Sequence, residues 1–407
     1  MTTVHSKALN QSIQVDRIIG HVDGKKPGPT LIFFGGIHGN EPSGVFALQQ
    51  AITKIGKDNL TVNGSIYAIS GNLGGLAKGQ RYIDSDLNRI WTNDSVTTEL
   101  VAMESAAADQ SEQKELISIL TALRKIITEN KGPIYFFDLH STSSDTIPFI
   151  TINDTMLNRK FALHYPVPVI LGIEEHLDGP ILSFINQLGY IAIGFESGQH
   201  ESLSAIENDL AFIYHTLVIT GALSPKALDS HCAFVPKQIK EQRHVYEIVH
   251  RHRIINGEQF YMNRGFVNFQ HIKKGEPLAF SDNELLVANT RGKIFMPLYQ
   301  SMGDDGYFII KRIPWFFLKL SSLIRKIKID SILTWLPGIS WSNSEKKALH
   351  VNLLVARFLA KDFLHLMGYR VIHANGHYLT AIKREDHESN LRYKNESWIT
   401  RECKVVR

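Results

Sequence analysis

Cysteine is nearly absent. The 407 residues include two, Cys232 and Cys403, far apart and in no CxxC pair. That excludes a disulfide framework and a thiolate zinc site, and it fits a reducing compartment. An excess of one charge is lacking too: 44 Lys and Arg stand against 40 Asp and Glu, a net +4 with His neutral. Apart from a cluster at Arg325, Lys326 and Lys328, the basic residues are spread along the chain, so no nucleic-acid footprint is expected. No apolar run reaches the roughly eighteen residues of a membrane span. The N-terminal MTTVHSKALN lacks the apolar stretch of a secretory signal. The expectation is a cytoplasmic protein without a transmembrane segment.

What is present is globular. Hydrophobic residues make up 43% and charged residues 21%, and the length allows two or three domains. TLIFFGG (30–36) is a short apolar run that empties into two glycines, as a buried strand does on entering a loop. A helix-like stretch follows from Pro42 to Ile55. Further strand candidates are SIYAISGN (65–72), PIYFFDLH (133–140) and GYIAIGFESG (189–198), with a helix-like KELISILTALRKIITEN (114–130) ahead of the second. Strands alternating with helices predict an α/β domain whose mostly parallel sheet is covered on both faces, with ligands collecting at the strand carboxyl ends.

From about 230 the texture changes to short segments punctuated by Asn-Gly (256–257), Lys-Gly (274–275) and Arg-Gly (291–292), which predicts a small all-β domain. A third texture starts near 313. There PWFFLKLSSLIRKIKIDSILTWL interleaves apolar and basic residues, and SEKKALHVNLLVARFLAKDFLHLMGYRVI has the period of a helix followed by a strand. The division expected is 1–228 for a catalytic α/β domain, 229–312 for the β domain bordering its cleft, and 313–407 for a mostly helical extension.

The densest chemistry follows the first buried strand, in Gly35-Gly36-Ile37-His38-Gly39-Asn40-Glu41. A His and a Glu three residues apart on one tight loop can aim nitrogen and oxygen at one ion about 2 Å away. His140 ends PIYFFDLH as His38 follows TLIFFGG, so two neighbouring strands would bring all three groups together. Two His and a carboxylate form a catalytic zinc set with an open fourth position, and the same trio can hold non-haem iron. Asp138, two residues before His140, is a candidate to orient that imidazole. Spacing alone leaves a loop histidine making ordinary hydrogen bonds equally open.

Four motifs in order, GGIHGNE, RYIDSDLNR (81–89), FDLHST (137–142) and GFESG (194–198), resemble the aspartoacylase and succinylglutamate desuccinylase family of the zinc carboxypeptidase-like superfamily. The resemblance spans roughly residues 28–310. It implies a zinc carboxypeptidase-like mixed, mostly parallel sheet with helices on both faces, and one Zn2+ per chain held by His38, Glu41 and His140. It also implies Glu196 as general acid/base, Arg81 as oxyanion stabiliser, Asn88 and Arg89 as grips for a substrate carboxylate, and Tyr299 reaching back into the cleft. Asp86 would orient the arginines.

The function so implied is hydrolysis of the amide bond of a small N-acylated amino acid or related carboxylate-bearing amide by metal-activated water. The alternatives are a zinc carboxypeptidase on short peptides and a non-catalytic ligand-binding member of the fold. The partner is a small-molecule substrate, and homo-oligomerisation stays open. Between the His140 and Glu196 motifs the family's aspartoacylases carry an extra arginine for an acidic side chain. Here GIEEHLDGPILSFINQLGY (172–190) has none and is acidic. The stretch from Trp315 to Lys328 is expected to be a core helix with a solvated basic face, a membrane-surface or partner-docking helix being the alternative.

Overall fold

The computed structural model describes residues 1–92, 110–227, 243–255, 257–327, 333–342, 348–355, 360–375, 377–384 and 391–400. Cys232, Cys403, Asn256, Lys328 and the expected boundary at 228 lie outside them. Among the described residues no helix is long and apolar enough to cross a membrane.

The apolar runs become the centre of one eleven-stranded mixed sheet. Lys26–Gly35, Ile134–Thr142 and Ile191–Gln199 run parallel and adjacent, with Asn63–Ser70 parallel on the outer side of the first and Ile18–Asp23 antiparallel at that edge. Successive side chains point to opposite faces, and both faces are buried. Leu31, Phe33, Tyr135, Phe137, Ile191 and Ile193 pack on the side of the helices Ser43–Lys57 and Leu203–Ile219. Ile32, Phe34, Ile134 and Phe136 pack on the side of Ser111–Glu129 and Ile181–Gln187. Two buried faces explain why these strands read as unbroken apolar runs rather than as alternation.

Beyond Ile191–Gln199 the sheet continues through Phe149–Ile152, Val169–Leu171, Val245–Arg253, Asp305–Arg312, Gly292–Phe295 and His271–Ile272. Four of the seven strands of the expected β domain are thus part of the large sheet, the junction being the parallel register of Val245 with Val169. Its remaining strands, Phe260–Met262, Pro277–Ser281 and Glu284–Val287, form a separate three-stranded sheet. A hairpin of Thr2–Ser6 and Gln11–Val15 precedes all of this.

The segment beyond 313 holds more strand than its sequence period predicts. Ala348–Asn352, expected within a helix, is a strand of a four-stranded antiparallel sheet with Ile339–Trp341, Tyr378–Lys383 and Tyr369–Asn375. Leu349 and Val351 are buried and His350 is exposed, so a period of two prevails locally. The helix Trp315–Ile327 departs from expectation on its polar side: Arg325 is turned inward at 3% exposure against Asp154, while Phe316 and Phe317 face out. The last described residues return to the core beside the large sheet. Tyr393 and Trp398 are fully buried there, the Tyr393 hydroxyl donating to the Ile134 carbonyl and the Trp398 indole N–H to the Tyr135 hydroxyl at 2.9 Å.

Candidate metal centre

Parallel pairing delivers the chemistry to one end of the sheet. Gly35 lies in register with Leu139, and His140 with Glu196, so the loop after the first strand and the ends of the other two converge. Gly36 adopts φ +73°, and a Cβ on Gly39 would sit 2.0 Å from the Gly75 carbonyl carbon. Only glycine lets the loop turn and lie that close. The helix Ser43–Lys57 starts two residues after Glu41, and its N-terminal partial positive charge favours a carboxylate there.

His38, Glu41 and His140 are buried, with donor atoms all within 4.8 Å of one another. His38 Nδ1 lies 2.9 Å from Glu41 Oε1 and His140 Nδ1 lies 3.0 Å from Oε2, which also accepts from the Ser141 N–H at 3.0 Å. Both imidazoles rest their other nitrogen on a carboxylate: His140 Nε2 on Asp138 at 2.7 Å, His38 Nε2 on Asp86 at 3.2 Å. Burial works to raise the Glu41 carboxyl, but the two imidazoles outweigh it and hold it well below the carboxylate range. Burial likewise opposes charge on His140, yet Asp138 and Glu41 hold that imidazole well above its ordinary value. Both shifts arise because the donors are gathered at one point.

Asp86 has a wider part than orienting arginines. It accepts from Arg81 Nε at 3.0 Å and from the Asn88 N–H at 2.8 Å as well as bracing His38. The loop carrying it hangs from buried Glu112, whose carboxylate accepts the backbone N–H groups of Ile83, Asp84 and Ser85 at 2.7, 3.0 and 3.2 Å. The Arg81 guanidinium is 11% exposed and 3.6 Å from Glu41. Burial pulls its pKa down, but Asp86 and Glu41 more than compensate and keep it charged.

Glu196 stands at the same cavity with 7% of its surface exposed, and its Oε2 has no hydrogen-bond partner. Burial pushes its carboxyl up to about 8. The cavity, of about 110 Å³, is lined by the trio, Arg81, Asn88, Arg89 and Glu196, and on its apolar side by residues including Ile173, Leu182 and Phe308.

The remaining sequence candidates divide. Arg89 lines the cavity, but its Nη2 is paired with Asp305 at 2.9 Å. Asn88 lines it too, while its Oδ1 accepts the Ile181 N–H at 3.0 Å and so fastens the start of the next helix. Tyr299 is not brought in: its hydroxyl accepts from the Phe266 N–H at 3.0 Å and lies 2.9 Å from the Asn263 carbonyl.

Two features were not foreseen. His200, four residues after Glu196, lines the cavity with Nδ1 2.8 Å from the Ser141 hydroxyl and Nε2 3.0 Å from Gln300. Burial lowers its pKa, which favours the neutral imidazole. Its place just past GFESG was the available signal. Asp304 and Asp305, also on the cavity wall, lie 108 and 109 residues after Glu196, and only the fold joins them to the site.

Residues 27–217 match the model of the succinylglutamate desuccinylase/aspartoacylase catalytic domain. A probable aspartoacylase of Acaryochloris marina is 26% identical over 280 residues, covering 63% of this chain and 85% of that one. The succinylglutamate desuccinylase of Photorhabdus laumondii is 31% identical over 75 residues, 18% of this chain and 22% of that one. Among solved structures, a succinylglutamate desuccinylase from Vibrio parahaemolyticus superposes with a TM-score of 0.53 at 15% identity, covering 72% of this chain and 86% of that chain. A succinylglutamate desuccinylase/aspartoacylase from Rhodobacter sphaeroides does so at 0.54 and 14%, covering 72% and 88%. These two likenesses speak to the fold.

Proposed function

We propose that the chain, whose residues 27–217 match the succinylglutamate desuccinylase/aspartoacylase catalytic domain, is a zinc-dependent amidohydrolase that deacylates a small N-acylated amino acid or related carboxylate-bearing amide. The observation that carries this reading is the buried trio His38, Glu41 and His140 opening onto the same cavity as Glu196. The residues fit a zinc ion. Two imidazoles and a carboxylate converge, each imidazole is braced by a carboxylate as metal-bound histidines are, and three protein ligands leave a fourth position open. Bound there, zinc supplies a Lewis acid and a water whose pKa falls to about 7.

The other roles belong to the chain's own groups. Glu196, kept from water with one oxygen unpartnered, takes the proton of the attacking water and hands it to the leaving amine; a divalent cation nearby would draw its pKa down from the metal-free value. Arg81, charged and already beside Glu41, faces the oxygen on which negative charge develops. Asn88 and Arg89 are proposed to hold the substrate carboxylate, which then shares Arg89 with Asp305. A cavity of about 110 Å³ suits a small amide better than a peptide. We propose also the three-part division of the chain near 228 and 312, supported by the separate apolar clusters around Leu278 and Leu349.

The test is a panel of N-acetyl and N-succinyl amino acids together with dipeptides, assayed on zinc-loaded and chelated protein. Metal-dependent release of amine from an acyl amino acid supports the reading. Turnover confined to dipeptides would replace it with a carboxypeptidase, and none at all with a non-catalytic binding protein.

A further inference from the structure

One wall of the cavity is the turn after the strand Val169–Leu171, from which Ile173 and Leu177 line the space. The same turn carries Glu174 and Glu175, whose side chains are only 2% and 5% exposed. Buried carboxylates need partners; Glu174 accepts the Asp154 N–H at 3.3 Å, and cationic partners come from the far end of the chain. Arg384, 5% exposed, approaches Glu174 at 3.4 Å through Nε and holds Glu175 through Nη2. His365 Nε2 stands 2.9 Å from the second oxygen of Glu175.

Arg384 also reaches Asp154 at 2.6 Å through Nη1. Arg325 and Arg159 complete the surround of that carboxylate at 2.8 and 2.6 Å. The three guanidiniums outweigh the burial that would raise Asp154 and hold it well below the usual carboxylate range. Asp154 follows Asn153, which itself lines the substrate cavity. Apolar packing holds one side of the turn, where Ile173 and Leu177 join a cluster with Phe149, Tyr246 and Phe308; on the side of Glu175 and Arg384 there is a second cavity of about 510 Å³, walled in part by Gly172 and His176. The turn is thus a partition between two spaces, packed by apolar side chains on one side and held by ion pairs on the other.

We propose that Arg384 is a positioning residue: through Glu174, Glu175 and Asp154 it lets the segment beyond 313 clamp the 172–177 turn and so set the shape of the substrate cavity. This rests on the reading of that cavity as the place where the amide binds. The metal trio hangs on other strands, so loosening the clamp weakens substrate binding without releasing the metal.

The experiment compares Arg384→Gln, Arg384→Lys and wild type in the full chain. The readings are KM and kcat on the best acyl amino acid of the panel, zinc content by mass spectrometry, and amide hydrogen exchange by segment. Arg384→Gln is expected to raise KM about tenfold, since small misplacements of a binding wall cost that much or more. Its kcat should stay within about threefold of wild type, as for loss of an interaction that serves binding rather than chemistry. Exchange should quicken in 172–178 and not in 134–142, and Arg384→Lys should recover part of the KM.

A folded, zinc-loaded Arg384→Gln with wild-type KM and wild-type exchange overturns the inference, as does a fall in kcat and zinc with KM unchanged. If Arg384→Gln does not fold, Glu175→Gln removes one arm of the clamp at constant volume and is read in the same way. If wild type cleaves none of the panel, the deacylase reading fails, and the exchange comparison still decides whether the clamp exists.

Discussion

At the scale of single residues, the environment of Glu196 sets two expectations. Replacing it with Gln removes the proposed proton carrier and leaves the trio intact. Turnover should drop by about 10²- to 10⁴-fold, the usual worth of general acid–base catalysis, with zinc retained by mass spectrometry. Zinc lost along with activity would show Glu196 to be structural. The second concerns pH. In the metal-free protein the carboxyl sits near 8, above its ordinary value, so between about 4.5 and 8 the folded state binds a proton that the unfolded chain does not. Stability therefore falls as pH rises through that window. Glu196→Gln in chelator should be the more stable protein at pH 8 and lose its advantage near pH 4.5, measured by thermal melts. An advantage independent of pH would mean that the carboxyl is not raised.

Asp304 makes the third residue-scale case. It lines the cavity 37% exposed, and its nearest cations, Arg89 and Arg251, lie 3.8 and 3.7 Å away. A second carboxylate on the substrate would meet that charge. Asp304→Asn is expected to lower KM for doubly acidic acyl amino acids about three- to tenfold relative to singly acidic ones, a change of about 1 kcal/mol. Equal KM changes for both classes would remove Asp304 from the choice of substrate.

At the scale of elements, Glu112 shows how a helix governs a loop. Its carboxylate is fully buried and takes three consecutive backbone N–H groups from 83–85 and the Asn72 amide. Glu112→Ala strands those donors, so a loss of about 3 kcal/mol is expected in urea unfolding, with activity falling as Arg81 and Asp86 drift. Unchanged stability would mean that the loop is held elsewhere.

Glu112 was invisible in sequence, because its value lies in backbone groups 27 to 29 residues away. By contrast, TLIFFGG, PIYFFDLH and YIAIGF were legible as strands, since burial on both faces leaves an apolar run, and their ends placed His38, His140 and Glu196 on one side. Val169–Leu171 carried no such signal: three residues are too few to show a period. Without it, the continuation of the sheet into Val245–Arg253 could not be read. Ala348–Asn352 was misread because Ala348, Val351 and Val355 fall at i, i+3 and i+7, the spacing of a helix face, while its pairing with Tyr378–Lys383 is non-local.

At the scale of the whole molecule, the metal is expected to act as a rivet between the loop after Lys26–Gly35 and the end of Ile134–Thr142. A ligand that binds only the folded state stabilises by mass action, about 2.7 kcal/mol at a hundredfold excess over Kd. Zinc should therefore raise the melting temperature of chelated protein by several degrees, and His140→Ala should abolish that rise and leave zinc below stoichiometric by mass spectrometry. An equal rise in the variant would place the ion elsewhere.

The return of Tyr393 and Trp398 to the core beside the large sheet carries a consequence for biosynthesis. Their side chains fill space beside Tyr135 and Phe161, in strands and helices made more than two hundred residues earlier. A nascent chain still inside the ribosome's exit tunnel at position 391 has a gap where those two rings belong. The large sheet and its helices can be assembled in outline during translation, but their interior closes only after that final stretch has emerged, and a nonsense mutation as late as Arg392 would leave it unsealed.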